Sequence, residues 1–286
     1  MSGQRIFVTG GASGLGRAIA ERYARAGWKV CVGDVHAARL EETLASLEGL
    51  GAGAHALSCD VTREEDLEAA AAWLTASWGG VDVVVNNAGV AASGSIADTP
   101  LADWQWILDV NLLGVVRGCR VFTPLFRRQG HGRFVNVASV AAFVHPPMIS
   151  AYAATKAAVL ALSESIAVEL ARDGIGVTVV CPGLVRTNLA ETSRAATPRI
   201  DALARAFISR ARVTPEEVAE KIYHGVARGR FLVQTHPEGR LIVALKRLLP
   251  APLYLKLMER LARKLLPRRR SATGPDEPAG PVEQNV

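Results

Sequence analysis

The chain has 286 residues, 49% hydrophobic and 21% charged, an ordinary globular composition that excludes disorder, collagen-like repeats and a coiled coil as the main architecture. That length suits one α/β domain with an appendage as well as it suits two domains. The net charge of +6 is uneven: from Arg240 to Arg270 ten Lys or Arg residues face one acid, Glu259, which gives that stretch +9 and leaves −3 elsewhere, so nucleic acid is a poor candidate partner.

In chain order, RIFVTG (5–10) reads as a strand, GLGRAIAERYARAG (14–27) as a helix, KVCVGDV (29–35) as a strand and 38–49 as a helix. Further strand-like runs follow at 54–61, 81–89, 132–139, 176–183 and 231–234, each after a helix-period stretch. These runs are uniformly apolar rather than alternating, as a parallel sheet covered on both faces requires. The expected fold is therefore α/β, a doubly wound parallel sheet with helices on both faces and a C-terminal helical appendage. The expected divisions are a dinucleotide-binding and catalytic domain at 1–239, a basic amphipathic segment at 240–270, and a tail at 271–286 with the Pro, Gly and charge content of disorder. Cys31, Cys59, Cys119 and Cys181 form no CxxC pair, so neither a zinc knuckle nor a redox couple is expected, and a reducing cytoplasm is the simplest home. The first residues run directly into a strand without a signal-like pattern, and no uncharged run reaches the roughly 18 apolar residues of a membrane span.

The first strand ends in Thr9-Gly10-Gly11-Ala12-Ser13-Gly14-Leu15-Gly16 and a helix begins at once. Glycines at 10, 14 and 16 permit a tight turn, bring backbone N–H groups to an anionic pyrophosphate and start the helix close to the sheet, where its dipole favours negative charge. Alone, this is also what a structural βα turn looks like. Asp34, ending the second strand, stands near the position where a carboxylate bonds an adenosine ribose hydroxyl, though a strand-end cap is the plain alternative. A carboxylate there repels a 2′-phosphate, which favours NAD over NADP. Tyr152 and Lys156 open a helical stretch four residues apart and share one face. A fixed ammonium beside a phenol favours the phenolate and moves its pKa toward the working range.

Thr9 to Gly16, Asn86-Asn87-Ala88-Gly89, Asn111, Ser139, Tyr152 with Lys156, and Pro182-Gly183 with Thr187 together resemble the short-chain dehydrogenase/reductase family, over roughly residues 5–235. The resemblance implies a Rossmann-like fold and a tetrad. Ser139 would steady the substrate oxygen, Tyr152 would exchange the hydroxyl proton, Lys156 would lower the tyrosine pKa and hold the nicotinamide ribose, and Asn111 would order a water for a proton relay. It assigns Gly10, Ser13, Gly14, Leu15 and Gly16 to the pyrophosphate turn, Asp34 to the ribose, Asp60 and Val61 to the adenine, and Asn87, Ala88 and Gly89 to the nucleoside. Pro182, Gly183, Val185 and Thr187 fall to the nicotinamide carboxamide, with no metal. Asn86 reads equally well as a structural strand-end residue.

Substrate contacts are expected from loops beyond the strand ends, Val90–Ser95, Val140–Ile149 and Leu189–Ala211. The first two lack Arg and Lys, which points to a small hydrophobic secondary alcohol or ketone; His145 reads as a partly exposed loop residue before a substrate contact. An NADPH-dependent ketone reductase and a membrane-peripheral docking or regulatory protein are the alternatives. Residues 253–266 place Tyr254, Leu257, Met258, Leu261 and Leu265 on one stripe and basic residues opposite. That helix reads as packing on the body or on a second subunit, with a lid or a membrane-surface contact through 240–270 as the sharper readings. Family habit suggests a homodimer or homotetramer built through the helices carrying Asn111 and Tyr152.

Overall fold

The computed structural model describes residues 3–265; the anticipated tail at 271–286, and Arg268 to Arg270 of the basic segment, lie outside the described residues. The chain divides into two compact units, one ending at Leu248 and the other beginning at Leu249. The first runs β1 Arg5–Thr9, α1 Gly14–Arg25, β2 Lys29–Asp34, α2 Ala37–Gly49, β3 Ala54–Ser58, α3 Glu64–Trp78, β4 Val83–Asn86, β5 Ala92–Ser93, α4 Leu101–Leu108 and α5 Gly114–Gln129. It continues β6 Gly132–Val137, α6 Ser150–Glu169, β7 Ile175–Cys181, β8 Arg194–Ala195, α7 Pro198–Ser209, α8 Pro215–Ala227, β9 Leu232–Gln234 and α9 Pro237–Leu248. The second unit contributes α10, Ala251–Leu265. The helix α9 straddles the position 239/240 at which composition changes.

Seven strands form one parallel sheet in the order β3-β2-β1-β4-β6-β7-β9, the doubly wound arrangement the uniformly apolar runs require. On one face Phe7, Cys31, Val84, Phe134 and Val179 pack against Leu67, Leu74, Phe122, Phe126 and Val159 of α3, α5 and α6. On the other, Ile6, Val8, Val30, Val85 and Val180 meet Ile19 and Tyr23 of α1, Leu40 and Leu47 of α2, and Ile222 of α8. Each such side chain removed from water contributes about 1.5–3 kcal/mol, so both faces of the sheet are committed to helices and function is left to the strand ends.

Local sequence sets the helix boundaries. The first turn of α3 carries Glu64, Glu65 and Asp66 at the positive end of its dipole, and Gly79 closes it at φ 74°. A capping box of Thr214 and Glu217 with Pro215 opens α8. By contrast α1 has no acid in its first turn, and the Ser13 side chain does not cap it.

Four strand-like runs overshoot the observed strands by two or more residues; 176–183 leaves the ladder after Cys181, freeing Pro182-Gly183, and the other three behave alike. Residues 54–61, 81–89 and 132–139 leave the ladder after Ser58, Asn86 and Val137, and the residues left over, Asp60-Val61, Asn87 to Gly89 and Ser139, are those singled out for the site. The short pair β5 and β8 was not anticipated; two residues each give no periodicity to read. One described helix, α6, is by length and composition apolar enough to cross a membrane, although it carries Lys156, Glu164 and Glu169 and so is not an uncharged run. Its buried Val159 and Ser163 face the sheet, so its apolar character reflects burial in the core. All four cysteines are buried and free, and burial pushes the thiols of Cys59, Cys119 and Cys181 up to about 12.

Candidate active site

The sheet order reverses between β1 and β4, and the turns leaving these two strands are tied together there. Thr9 Oγ1 accepts the backbone N–H groups of Asn87 at 3.1 Å and Ala88 at 3.2 Å, while Asn87 Nδ2 donates to the carbonyls of Thr9 and Gly10 at 3.0 and 3.1 Å. Gly10 and Gly14 sit at φ 62° and 52°, where an L side chain is strained. A Cβ on Gly16 would lie 2.0 Å from the Gly10 carbonyl oxygen, and one on Gly11 would lie 2.7 Å from Val32 Cβ. The turn is therefore a cradle that only glycines can line, and it opens on the uncapped start of α1. Gly11 was not singled out from sequence, because its constraint comes from the neighbouring strand.

Asp34 ends β2 with Oδ2 accepting the Ala12 N–H of that turn at 3.1 Å and Oδ1 accepting the His36 N–H at 3.1 Å. Next to it, Cys59 N–H donates to the Asp34 carbonyl at 3.0 Å. Asp60 Oδ1 receives Thr62 N–H and hydroxyl at 2.9 and 2.8 Å, and Val61 is buried with its carbonyl bonded by Arg117 at 3.1 Å. A glycine cradle, a helix N-terminus without an acidic cap and a carboxylate at the second strand end fit a dinucleotide.

Across the switch point, Tyr152 and Lys156 lie one turn apart on α6, with Lys156 Nζ 5.8 Å from the Tyr152 ring centroid. Lys156 is buried and its ammonium donates to the Val137 carbonyl at 2.9 Å. Ser139 follows β6; its hydroxyl accepts Ala141 N–H at 3.1 Å and reaches the Pro182 carbonyl at 3.4 Å. Burial raises the Tyr152 pKa above 10, and a hydrogen bond with the Ser139 side chain acts the other way. The expectation that Lys156 brings the phenol toward neutrality is therefore not met in this arrangement. Desolvation is the largest influence on the phenol, and the ammonium is engaged with Val137. Burial likewise lowers Lys156 to about 8.

That depression has a stability consequence. A lysine of folded pKa near 8 and unfolded pKa near 10.5 destabilises the fold wherever both states are charged, by roughly 3 kcal/mol below pH 8, and the penalty fades as pH rises from 8 to 10.5. Replacing Lys156 by Met removes the buried charge but also one hydrogen bond, worth about 1 kcal/mol. Denaturant melts should show Lys156→Met more stable than wild type by ~1–2 kcal/mol at pH 7, with the gain gone by about pH 10.

Asn111 lies in a π-helical turn, Asp109–Leu113, joining α4 to α5, a distortion that recurs at functional sites. Its amide clasps Val90, accepting its N–H at 2.8 Å and donating to its carbonyl at 2.9 Å, and also reaches Thr155 Oγ1 at 3.3 Å. A Cβ on Gly89 would lie 3.3 Å from Asn111 Oδ1 and 3.5 Å from Lys156 Nζ. The side chain thus fixes residues 89–90 beside the lysine. Asn86 is structural: it donates to Asn136 Oδ1 at 2.8 Å, and Asn136 donates to Ser163 Oγ at 3.0 Å, a buried chain between sheet and α6.

The Pro182–Thr187 loop leaves β7 and ends against the glycine turn, with a Cβ on Gly14 placed 3.3 Å from Thr187 Cβ. Val185 bridges to Val213. The three loops chosen for substrate contact meet: β5 pairs with β8, and Gly94 bridges to Ile149. Val90, Trp104, Trp106 and Tyr152 surround Ala92, Ile107 and Ala151 there. Arg194 is held by Asp103 at 3.0 Å and stacks over Trp106 at 4.0 Å, and Arg205 pairs with Asp201 at 2.7 Å. Sequence missed Lys246 of α9, whose ammonium bonds the Phe143 carbonyl and lies 3.1 Å from His145 Nε2. His145 is exposed and its Nδ1 faces the Ala141 carbonyl at 3.0 Å.

Residues 4–198 match the family model described as short chain dehydrogenase. The chain belongs to the short-chain dehydrogenase family. The probable oxidoreductase EphD of Mycobacterium tuberculosis is 34% identical to this chain over 258 residues, covering 87% of the chain but 43% of EphD, so the chain spans less than half the length of that relative. The C alpha-dehydrogenase of Sphingobium is 35% identical over 249 residues, 83% of this chain and 82% of its own. A short-chain dehydrogenase/reductase from Burkholderia phymatum, solved in complex with NAD, superposes with a TM-score of 0.81 at 31% identity, covering 89% of this chain and 95% of that one.

Proposed function

We propose that the chain is an NAD-dependent oxidoreductase interconverting a hydrophobic secondary alcohol and its ketone. The observation that carries this is the meeting of Tyr152, Ser139 and Lys156 at the strand ends, with the Asp34 carboxylate turned into the glycine cradle across the switch point. Bound nicotinamide would supply the hydride exchange at the substrate carbon. Tyr152 takes the alcohol proton at its phenolic oxygen, or returns it to the ketone oxygen. Ser139, its hydroxyl oriented by Ala141 N–H, donates to the same substrate oxygen. Lys156 stabilises the phenolate when that charge forms, and Asn111 keeps residues 89–90 beside it. Two of the four arginines of the third loop, Arg194 and Arg205, are paired with Asp103 and Asp201, which is compatible with an uncharged, apolar substrate.

The cofactor choice rests on Asp34. Asp34→Asn keeps an acceptor for Ala12 N–H and removes the charge that opposes a 2′-phosphate. Initial rates with NAD and NADP, over a panel of secondary alcohols and ketones, should show wild type preferring NAD. The variant should lose about tenfold or more of that preference, a change of about 1.4 kcal/mol. Wild-type preference for NADP would reject the assignment.

A further inference from the structure

The Pro182–Thr187 loop has an anchor from outside the family-matched segment, which ends at residue 198. Strands β7 and β9 run side by side with Cys181 opposite Gln234, so the loop and the segment Thr235-His236 leave the sheet together. His236 then bonds two successive loop residues. Gly183 N–H donates to Nδ1 at 2.9 Å, and Nε2 lies 3.1 Å from the Leu184 carbonyl oxygen. A donor at Nδ1 requires a lone pair there, so the hydrogen sits on Nε2 and is donated to Leu184. Thr235 Oγ1 lies 2.8 Å from Nδ1 and can donate to that same lone pair. The ring also lies flush against the loop backbone: a Cβ on Gly183 would come within 2.8 Å of His236 Cγ.

The loop held in this way links both halves of the site. At its start the Pro182 carbonyl accepts Val140 N–H at 2.7 Å and faces the Ser139 hydroxyl. At its end Thr187 rests on the Gly14 turn. We infer that His236, as the neutral ring protonated on Nε2, is a positioning residue that fixes the two peptides flanking Gly183 and Leu184, Pro182–Gly183 through its N–H and Leu184–Val185 through its carbonyl, and thereby the seat of the nicotinamide. This rests on the dinucleotide reading above. A rigid ring with an acceptor on one side and a donor on the other suits the task, because it constrains two neighbouring peptides of the loop with a side chain of two torsions.

Calorimetric titration of the full chain with NAD and with ADP-ribose, which lacks the nicotinamide, tests the inference. His236→Phe keeps a ring and removes both bonds. It should weaken NAD binding about tenfold while ADP-ribose binding changes less than about twofold. His236→Asn places an oxygen near the position of Nδ1 and should recover most of the loss, whereas His236→Gln, with its amide nearer Nε2, should recover less. Unchanged NAD binding in the Phe variant overturns the inference, as does equal weakening of both ligands, the signature of a general structural role. If the Phe variant does not fold, equal NAD affinity of the Asn and Gln variants overturns it. A wild-type chain that binds neither ligand removes the dinucleotide reading itself.

Discussion

Tyr152→Phe should lower turnover about 10³-fold while dinucleotide affinity stays within about a factor of two of wild type. The ring packs beside Ala92, Ile107 and Ala151, and those contacts survive the change, so only the hydroxyl is lost. A loss of that size corresponds to about 4 kcal/mol of transition-state stabilisation, within reach of a single positioned acid or base. Because burial holds the Tyr152 pKa above its ordinary value, the neutral phenol dominates at pH 7. Oxidation, which needs the phenolate, should therefore quicken as pH rises, and reduction, which needs the phenol, should not. Nicotinamide absorbance reads both directions, and fluorescence titration reads binding. Turnover of the variant above about a tenth of wild type would contradict the proton-transfer role.

Gly16→Ala should remove dinucleotide binding and lower stability by about 3 kcal/mol. The added Cβ would lie 2.0 Å from the Gly10 carbonyl oxygen and 2.5 Å from Asn87 Nδ2. The first is backbone, and the second is the amide that ties the two turns at the switch point, so neither can yield without opening the cradle. Gly49→Ala is the matched control. Its Cβ would meet nothing within 4 Å, and an exposed helical position gains about 0.5–1 kcal/mol from alanine. Thermal melts with and without NAD separate the two effects. A Gly16→Ala protein that melts with Gly49→Ala and still gains stability from NAD would show that the cradle does not depend on Gly16.

What could be read from sequence was what lies within one element or one turn. The glycine spacing, Asp34 at a strand end and the four-residue offset of Tyr152 and Lys156 are all local, and the structure brings them to the same strand-end surface. Apolar runs placed the seven strands of the main sheet but overran their ends, because Val61 and Ala138 continue an apolar pattern past the last strand residues, Ser58 and Val137. His236 and Lys246 carried no local signal. Their partners, Gly183 and Phe143, are far away in sequence and meet them only after β7 and β9 pair and α9 packs. The direction of the tyrosine shift was hidden for a related reason: spacing gives the distance between a phenol and an ammonium, while desolvation depends on everything folded around them.

The four thiols carry a practical consequence. With pKa values near 12 for three of them, about one sulfur in 10⁵ is a thiolate at neutral pH, too few to react with an alkylating reagent in the closed state. Modification must then wait for a local opening. Because Cys31, Cys119 and Cys181 lie in β2, α5 and β7, with β2 and β7 each next to an edge strand, their separate labelling rates serve as clocks for the opening of one side of the sheet, a covering helix and the opposite side, without any engineered probe.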